Sequence, residues 1–124
     1  MKKILILILL YFINCKKEVI NQTVGGEFDI FLEGNPKTGF KWYLANIKEL
    51  LKERIIIPRG ISNSGIGRYK PLSKPHKGNI GIFIFGFTTK KNSNKIVKLR
   101  FVHKNSANKI KDEKIYNMKI SNWK

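Results

Sequence analysis

The sequence has very few of the residues on which catalytic and metal sites depend. Its 124 residues include one cysteine, Cys15, two histidines, His76 and His103, and only 8 acidic residues, which are scattered along the chain. A lone cysteine excludes an intrachain disulfide. Because zinc needs three or four clustered His, Cys or carboxylate ligands, neither a metal site nor a cofactor is expected.

Motifs of nucleophilic enzymes and of phosphate-binding loops are also missing. The sequence has no Gly-x-Ser-x-Gly elbow, and once the lone Cys15 is acylated no free cysteine is left to serve as a peptidase nucleophile. Residues 65–70 carry a Gly-x-Gly pattern but lack the Gly-Lys-Ser or Gly-Lys-Thr ending of a phosphate loop. We therefore expect no catalytic residues and no enzymatic activity.

The N-terminus has the composition of an export signal. Lys2 and Lys3 precede an unbroken apolar run, residues 4–13, which is too short to span a bilayer. Cys15 follows at the position where bacterial lipoproteins are cleaved and acylated. We predict a signal peptide over residues 1–15, lipidation and membrane anchoring at Cys15, and a place in the periplasm or at the cell surface. Ordinary cleavage nearby and retention as an uncleaved anchor stay open as alternatives.

Negative charge is scarce. The 25 Lys and Arg residues against 8 Asp and Glu give a net charge of +17, which favours anionic partners such as nucleic acid, acidic lipid or an acidic protein surface. The basic residues are spread from Lys16 to Lys124, as on a solvated lysine-rich surface. Because the predicted signal takes the protein out of the cytoplasm, no specific nucleic acid is expected.

The hydrophobic pattern after the signal is typical of short β-strands in one domain, residues 16–124. Apolar residues alternate with mostly polar ones in residues 27–33, 40–44 and 96–104. Shorter candidate strands are residues 54–58 and 114–120. Residues 81–88 are apolar on both faces, as is typical of a central strand. The side chains expected to point inward are Phe28, Ile30, Leu32, Phe40, Trp42, Leu44, Val97, Leu99, Phe101 and Ile115, with Met118 or Ile120.

Turn-forming residues separate these runs. We expect a turn over residues 34–39, a long surface loop over residues 59–77, a polar loop over residues 105–113 and a bulge at Gly86. Residues 47–54 have helical spacing without a convincing cap, which favours a turn or a short 3₁₀ segment. The sequence therefore predicts an all-β fold, an antiparallel β-sandwich of six to eight short strands.

A family resemblance rests on three elements. Residues 35–44, Asn-Pro-Lys-Thr-Gly-Phe-Lys-Trp-Tyr-Leu, resemble the Asn-Pro-Thr-Thr-Gly-Tyr-x-Trp-x-Leu motif of the chagasin family of cysteine-peptidase inhibitors. Residues 78–85 are similar to the glycine loop and aromatic strand of that family. Residues 99–103 are similar to its Leu-x-Phe-Val-Tyr strand, but they continue into Lys104 and Asn105 where the family has Arg-Pro-Trp.

The resemblance implies an immunoglobulin-like sandwich that reversibly inhibits papain-like (C1-type) cysteine peptidases, as a monomer, by blocking the active-site cleft with three loops from one end. The implied peptidase-binding residues are Asn35, Pro36, Lys37, Thr38, Gly39, Phe40, Gly78, Asn79, Ile80, Gly81, His103, Lys104 and Asn105.

The Asn-Pro segment has a physical basis for such a role. Pro36 fixes φ, Gly39 permits a positive φ, and Asn35 can form a hydrogen bond within the turn, so that little loop entropy is lost on binding. Thr38 is expected to offer its hydroxyl near the peptidase's Cys-His pair, whereas Lys37 places a cation there. A surface lipoprotein that binds or adheres to anionic polymers through the same sandwich remains the alternative function.

Overall fold

The computed structural model describes residues 18–72, 80–93 and 95–122, so the predicted signal, Cys15, Gly78 and Asn79 lie outside the described residues. Within these ranges the chain forms one helix, α1, one 3₁₀ turn and eight strands. Their bounds are β1 Val19–Thr23, β2 Glu27–Gly34, the 3₁₀ turn Pro36–Thr38, β3 Lys41–Leu44, α1 Ile47–Glu53, β4 Ile56–Arg59, β5 Arg68–Pro71, β6 Gly81–Thr89, β7 Val97–Lys104 and β8 Ile110–Ser121. No helix in the described part is long and apolar enough to cross a membrane.

The strands form two sheets, which confirms the predicted immunoglobulin-like β-sandwich. One sheet has the order β1-β8-β7-β3, and the other has the order β2-β6-β4, with β5 also paired to β6. Every described strand pair is antiparallel except β1–β8, in which Val19 lies opposite Asn117 and the strands run parallel. β1 was not predicted.

The core between the sheets is rich in aromatic side chains. Phe83, Phe85 and Phe87 of β6 and Phe101 of β7 are fully buried, and the rings of Phe85 and Phe101 meet edge to face with centroids 4.7 Å apart. β6 is the central strand that its two-sided apolar pattern predicted. The inward prediction is confirmed for Ile30, Leu32, Trp42, Leu44, Val97, Leu99, Phe101, Met118 and Ile120.

Three of the predicted inward side chains are not buried. Phe28 and Phe40 are only partly buried, and Ile115 is 44% exposed. The prediction for Ile115 was wrong because it is paired with the outward-facing Arg100, so that the alternation along β8 turns Tyr116 and Met118 to the core instead.

Residues 47–53 form an α-helix, where a turn or short 3₁₀ segment was predicted. The side chain of Asn46 anchors the helix start to β7, because its Nδ2 donates to the Lys98 carbonyl at 2.7 Å and its Oδ1 accepts from the Arg100 amide at 3.1 Å. At the other end Arg54 has a φ of 58° and its N–H donates to the Leu50 carbonyl at 3.0 Å. Contacts with β7 thus supply the stability that a seven-residue helix lacks by itself.

Other boundaries also differ from the prediction. β4 continues through Pro58 to Arg59, and β5 lies within the predicted long loop. β8 begins at Ile110, inside the predicted polar loop. The predicted bulge at Gly86 is not present, because the pairing of Gly86 with Asp29 and Arg59 is regular. A Cβ at this position would lie 3.0 Å from the Arg59 carbonyl oxygen, so the close approach of the Arg59 backbone explains the glycine.

The strand registers define two opposite ends of the sandwich. β2 ends and β6 begins where Gly34 pairs with Gly81, and β3 begins where Lys41 pairs with Lys104. These positions share one end of the sandwich, called the loop end, which consists of residues 35–40, 80–81 and 104–110. At the other end, called the distal end, lie residues 24–26, 45–55 and 89–91, joined by the pairing of Ile56 with Thr89.

Candidate functional site

The loop end brings together most of the residues predicted to bind a peptidase. Residues 35–40 connect the two sheets, Ile80 and Gly81 enter β6 beside Gly34, and residues 103–105 end β7 beside Lys41. All three predicted elements therefore have described residues at one end of the molecule, although Gly78 and Asn79 lie outside the described ranges.

The Asn-Pro turn holds itself together. Asn35 Oδ1 accepts from the Lys37 amide at 3.1 Å, which is the hydrogen bond predicted for this side chain, and Pro36 occupies the first turn of the 3₁₀ segment. Gly39 has a φ of 88° and its N–H donates to the Pro36 carbonyl at 3.0 Å. The turn is therefore closed at both ends before any partner binds.

The Thr38 hydroxyl is occupied within the turn. Its Oγ1 donates to the Asn35 carbonyl at 2.7 Å and accepts from the Phe40 amide at 3.4 Å. The hydroxyl thus ties the start of the turn to the beginning of β3. In the free protein it acts as a support of the turn, which is a different role from the predicted contact with a Cys-His pair.

Below the turn lies an aromatic stack of Phe40, His103 and Trp42. The rings of Trp42 and His103 are nearly parallel, with centroids 4.7 Å apart, and Phe40 meets His103 edge to face at 5.8 Å. Trp42 is buried and its Nε1 donates to the Glu33 carbonyl at 3.0 Å, which links the two sheets directly under the turn. Trp42 is therefore the core anchor that its position predicted, and half-buried Phe40 covers the edge of the stack.

His103 supports the turn from inside. The residue is only 9% exposed, and Nε2 has no hydrogen-bond partner within the described residues. Burial lowers the pKa of His103 from its ordinary value, and nearby Lys111 lowers it further, whereas Asp112 and a hydrogen bond with the Phe40 backbone raise it. A neutral imidazole stacked on Trp42 gives Phe40 a rigid base and offers a partner little surface.

The β7–β8 loop is shaped by Asn105. Its Oδ1 accepts from the amides of Ala107 at 3.1 Å and Lys109 at 2.9 Å, and its backbone N–H donates to the Lys109 carbonyl at 3.2 Å. Lys104 lies with its Nζ 4.7 Å from the centroid of the Tyr43 ring. Asn105 is thus a turn-former, and Lys104 keeps a cation at the surface.

Cations are concentrated at the loop end. Lys37, Lys41, Lys109 and Lys111 are exposed. Lys111 Nζ lies 5.5 Å from the centroid of the Phe40 ring. Lys109 and Lys111 were missed by the sequence prediction, because residues 105–113 were taken as a loop without a register; the pairing of Lys104 with Ile110 brings them to this end.

The loop end combines a hydrogen-bonded turn, an aromatic stack and exposed lysines. Among the residues that the structure describes, no group of three or more His, Cys, Asp or Glu side chains could hold a metal ion. The loop end instead presents a rigid turn with a cationic surround on an aromatic base. Such an arrangement can fill and block a cleft of complementary shape.

Comparisons with known proteins place the fold. No protein-family model matches the sequence, and no curated protein matches it. Among solved structures, the cysteine protease inhibitor EhICP2 from Entamoeba histolytica is similar with a TM-score of 0.57 and 13% identity, over 84% of this chain and 86% of that chain. The BIgI domain of the beta protein from S. agalactiae, bound to CEACAM1, is similar with a TM-score of 0.50 and 14% identity, over 86% and 92% of the two chains.

A third similar structure is PbICP-C in complex with falcipain-2, with a TM-score of 0.45 and 14% identity over 85% of this chain and 89% of that chain. At 13% and 14% identity, the likeness to EhICP2 and to the BIgI domain shows the fold. The predicted resemblance to chagasin-type inhibitors is therefore confirmed as a shared β-sandwich, and EhICP2, one of the proteins that have this sandwich, is a protease inhibitor and not an enzyme.

Proposed function

We propose that the protein is a reversible inhibitor of papain-like cysteine peptidases that blocks the active-site cleft with its loop end. The observation that carries the proposal is the Asn-Pro turn, closed by its own hydrogen bonds and mounted on the aromatic stack. The sandwich shared with a cysteine protease inhibitor supports it. The proposed peptidase-binding surface consists of the exposed atoms of residues 35–40, of Ile80 and of the β7–β8 loop, and it includes the predicted contacts Gly78 and Asn79, which lie outside the described residues.

Inhibition of this kind needs blockage and no chemistry from the inhibitor. A turn that already has its bound shape loses little conformational entropy when it enters a cleft, which strengthens binding without additional contacts. Pro36–Thr38 is a compact 3₁₀ turn, so none of its peptide bonds is presented in an extended conformation. Thr38 contributes by holding the turn, since its hydroxyl already bonds Asn35 and Phe40.

The charge of the loop end indicates the kind of peptidase that fits. Lys37, Lys41, Lys109 and Lys111 are exposed at the same end of the sandwich as the turn, and Glu33 and Asp112 lie on the strands that end there. A target with an acidic rim around its cleft would be attracted over a distance and bound in register. Lys37 then points to that rim and away from the imidazolium of the catalytic pair.

The test measures hydrolysis of a fluorogenic peptide by papain in the presence of the full chain. We expect competitive, reversible inhibition at or below micromolar protein, with the chain recovered intact by mass spectrometry. Thr38→Ala should raise the inhibition constant severalfold because it removes the hydrogen bonds to Asn35 and Phe40, whereas Thr23→Ala, near the distal end, should leave it unchanged. Absence of inhibition at micromolar protein, or cleavage within residues 35–40, would contradict the proposal.

A surface module for anionic polymers is the second candidate, favoured by the net charge of +17. Steeply salt-dependent binding to heparin without peptidase inhibition would support it instead. Export and lipidation at Cys15 are part of the proposal in either case, since both functions act outside the cytoplasm.

A further inference from the structure

The distal end carries an apolar cleft with a cationic rim. The cleft has a volume of about 470 Å³ and is lined by Leu51, Arg54, Ile57, Lys90 and Lys91. Leu51 is 49% exposed and Ile57 is half-buried, so apolar atoms form the floor while the three cations surround it. No carboxylate lines the cleft, and within the described residues none forms an ion pair with its three cations.

Local backbone contacts fix this arrangement. Arg54 ends α1 in the left-handed conformation and thereby turns the chain from the helix into β4. The amide of Lys90 donates to the Ile55 carbonyl at 2.9 Å, which holds the end of β6 against the start of β4. The cleft is thus part of the rigid sandwich.

The charges of α1 are sorted by side. Lys48, Leu51 and Lys52 stand three and four residues apart and share the exposed face of the helix. Glu49 and Glu53 lie on the neighbouring face, toward β7, and Glu53 Oε2 is 3.4 Å from Lys95 Nζ. The carboxylates are therefore turned aside, and the face that continues the cleft is apolar and cationic.

We propose that the distal end docks on an anionic phospholipid membrane. Leu51 and Ile57 would enter the headgroup region while Arg54, Lys90 and Lys91 contact lipid phosphates, which is the pattern of apolar centre and basic surround that suits a membrane interface. A purely polyanionic partner would gain nothing from the exposed leucine. Because the loop end lies at the opposite pole of the sandwich, the Asn-Pro turn faces away from the membrane.

The geometry separates this surface from the other cations of the protein. β6 runs from the loop end to the distal end with nine residues, so the two ends are roughly 30 Å apart. That distance is several times the Debye length of about 8 Å at physiological salt. Charges at the loop end therefore contribute little to the attraction of a membrane that touches the distal end.

The test is sedimentation of the full chain with phosphatidylcholine vesicles and with vesicles containing about one third phosphatidylserine. The double variant Lys90→Glu/Lys91→Glu should lose most of the binding that depends on phosphatidylserine. Each cation near the surface raises the partition coefficient onto anionic vesicles about fivefold, and each replacement of lysine by glutamate changes the charge by two. The matched variant Lys109→Glu/Lys111→Glu has the same net charge but should change binding less than about threefold. Leu51→Ser should weaken binding severalfold with no change in charge.

Amine acetylation followed by mass spectrometry locates the contact. Lys48, Lys52, Lys90 and Lys91 should be protected by the serine-lipid vesicles, and Lys109 should not. The N-terminal segment is common to every variant, and phosphatidylcholine vesicles measure its background. The proposal is overturned if the two double variants lose binding equally, if binding does not depend on phosphatidylserine, or if Leu51→Ser binds as well as the wild type. In the last case, loss of heparin binding when Lys90 and Lys91 are replaced by glutamate would identify a general polyanion site.

Discussion

Replacing Gly39 by alanine tests the strain on which the rigidity of the Asn-Pro turn depends. Gly39 has a φ of 88° and a ψ of −3°, and an added Cβ would meet nothing within 4 Å. The substitution therefore causes no clash, and its whole cost is that of holding an L-residue in the left-handed region, about 1–2 kcal/mol. Alanine also restricts the unfolded chain, which offsets about 0.4–1 kcal/mol of that cost.

The strain can be expressed in two measurable ways. If the turn keeps its shape, the free energy of unfolding falls by about 0.8 kcal/mol, within a range of about 0–1.6 kcal/mol, and peptidase binding is unchanged. If the exposed turn relaxes, the hydrogen bond from Gly39 to Pro36 is lost, stability changes little, and the shape must be restored on binding. The inhibition constant then rises by about 5- to 30-fold, the equivalent of about 1–2 kcal/mol. Gly39→Asn should show a smaller effect, because asparagine tolerates this conformation better.

Gly60 provides the matched control for this experiment. It has a φ of 65°, an added Cβ would also meet nothing within 4 Å, and it follows β4, away from the loop end. Urea unfolding of Gly60→Ala should show a comparable loss of stability, while papain inhibition stays at the wild-type level. The proposed role of Gly39 is wrong if Gly39→Ala alters neither stability nor inhibition, if alanine and asparagine at position 39 behave alike, or if Gly60→Ala impairs inhibition equally.

Two further predictions concern the supports of the fold. Because the pKa of His103 is lowered in the folded protein, the unfolded chain binds this proton first as the pH falls, and the stability present above pH 6.5 is lost as the pH falls through the lowered value. The thermal unfolding temperature of His103→Phe should therefore depend less on pH between about 7.5 and 5.5 than that of the wild type. An equal dependence on pH in the two proteins would contradict this prediction. Asn46→Ala should lower the free energy of urea unfolding by about 1–3 kcal/mol because two backbone groups of β7 lose their partners, whereas Asn63→Ala in an exposed loop should change it by less than about 0.5 kcal/mol.

The strands of the core could be predicted because burial leaves a pattern in the sequence. β2, β3 and the first five residues of β7 alternate between core and solvent, and β6, enclosed by its neighbours on both sides, is apolar from Gly81 to Phe87. These four strands also fix the two ends of the sandwich. The location of the Asn-Pro turn, between two alternating runs, followed from the same pattern.

The elements that were missed are held by pairing or tertiary contacts, which leave little pattern. Residues 110–114 at the start of β8 are all exposed and form a strand because their backbone pairs with β7. β5 likewise pairs with β6 while three of its four side chains are exposed. α1 depends on Asn46, whose partners are about 50 residues away in the sequence. Periodicity alone does not report such contacts.

At the loop end, the proposed peptidase-binding site is formed without the Arg-Pro-Trp element. The β7–β8 loop is closed by Asn105, which bonds two backbone amides, so neither proline nor tryptophan is needed to shape it. The aromatic surface at this end is placed inside, in the stack of Phe40, His103 and Trp42, where it makes the Asn-Pro turn rigid. The side chains exposed at the surface of the loop end are mainly lysines. In the proposed inhibitor, affinity for a peptidase would then come from the preorganised turn and from charge, and the electrostatic character of the target's rim would be the main determinant of selectivity.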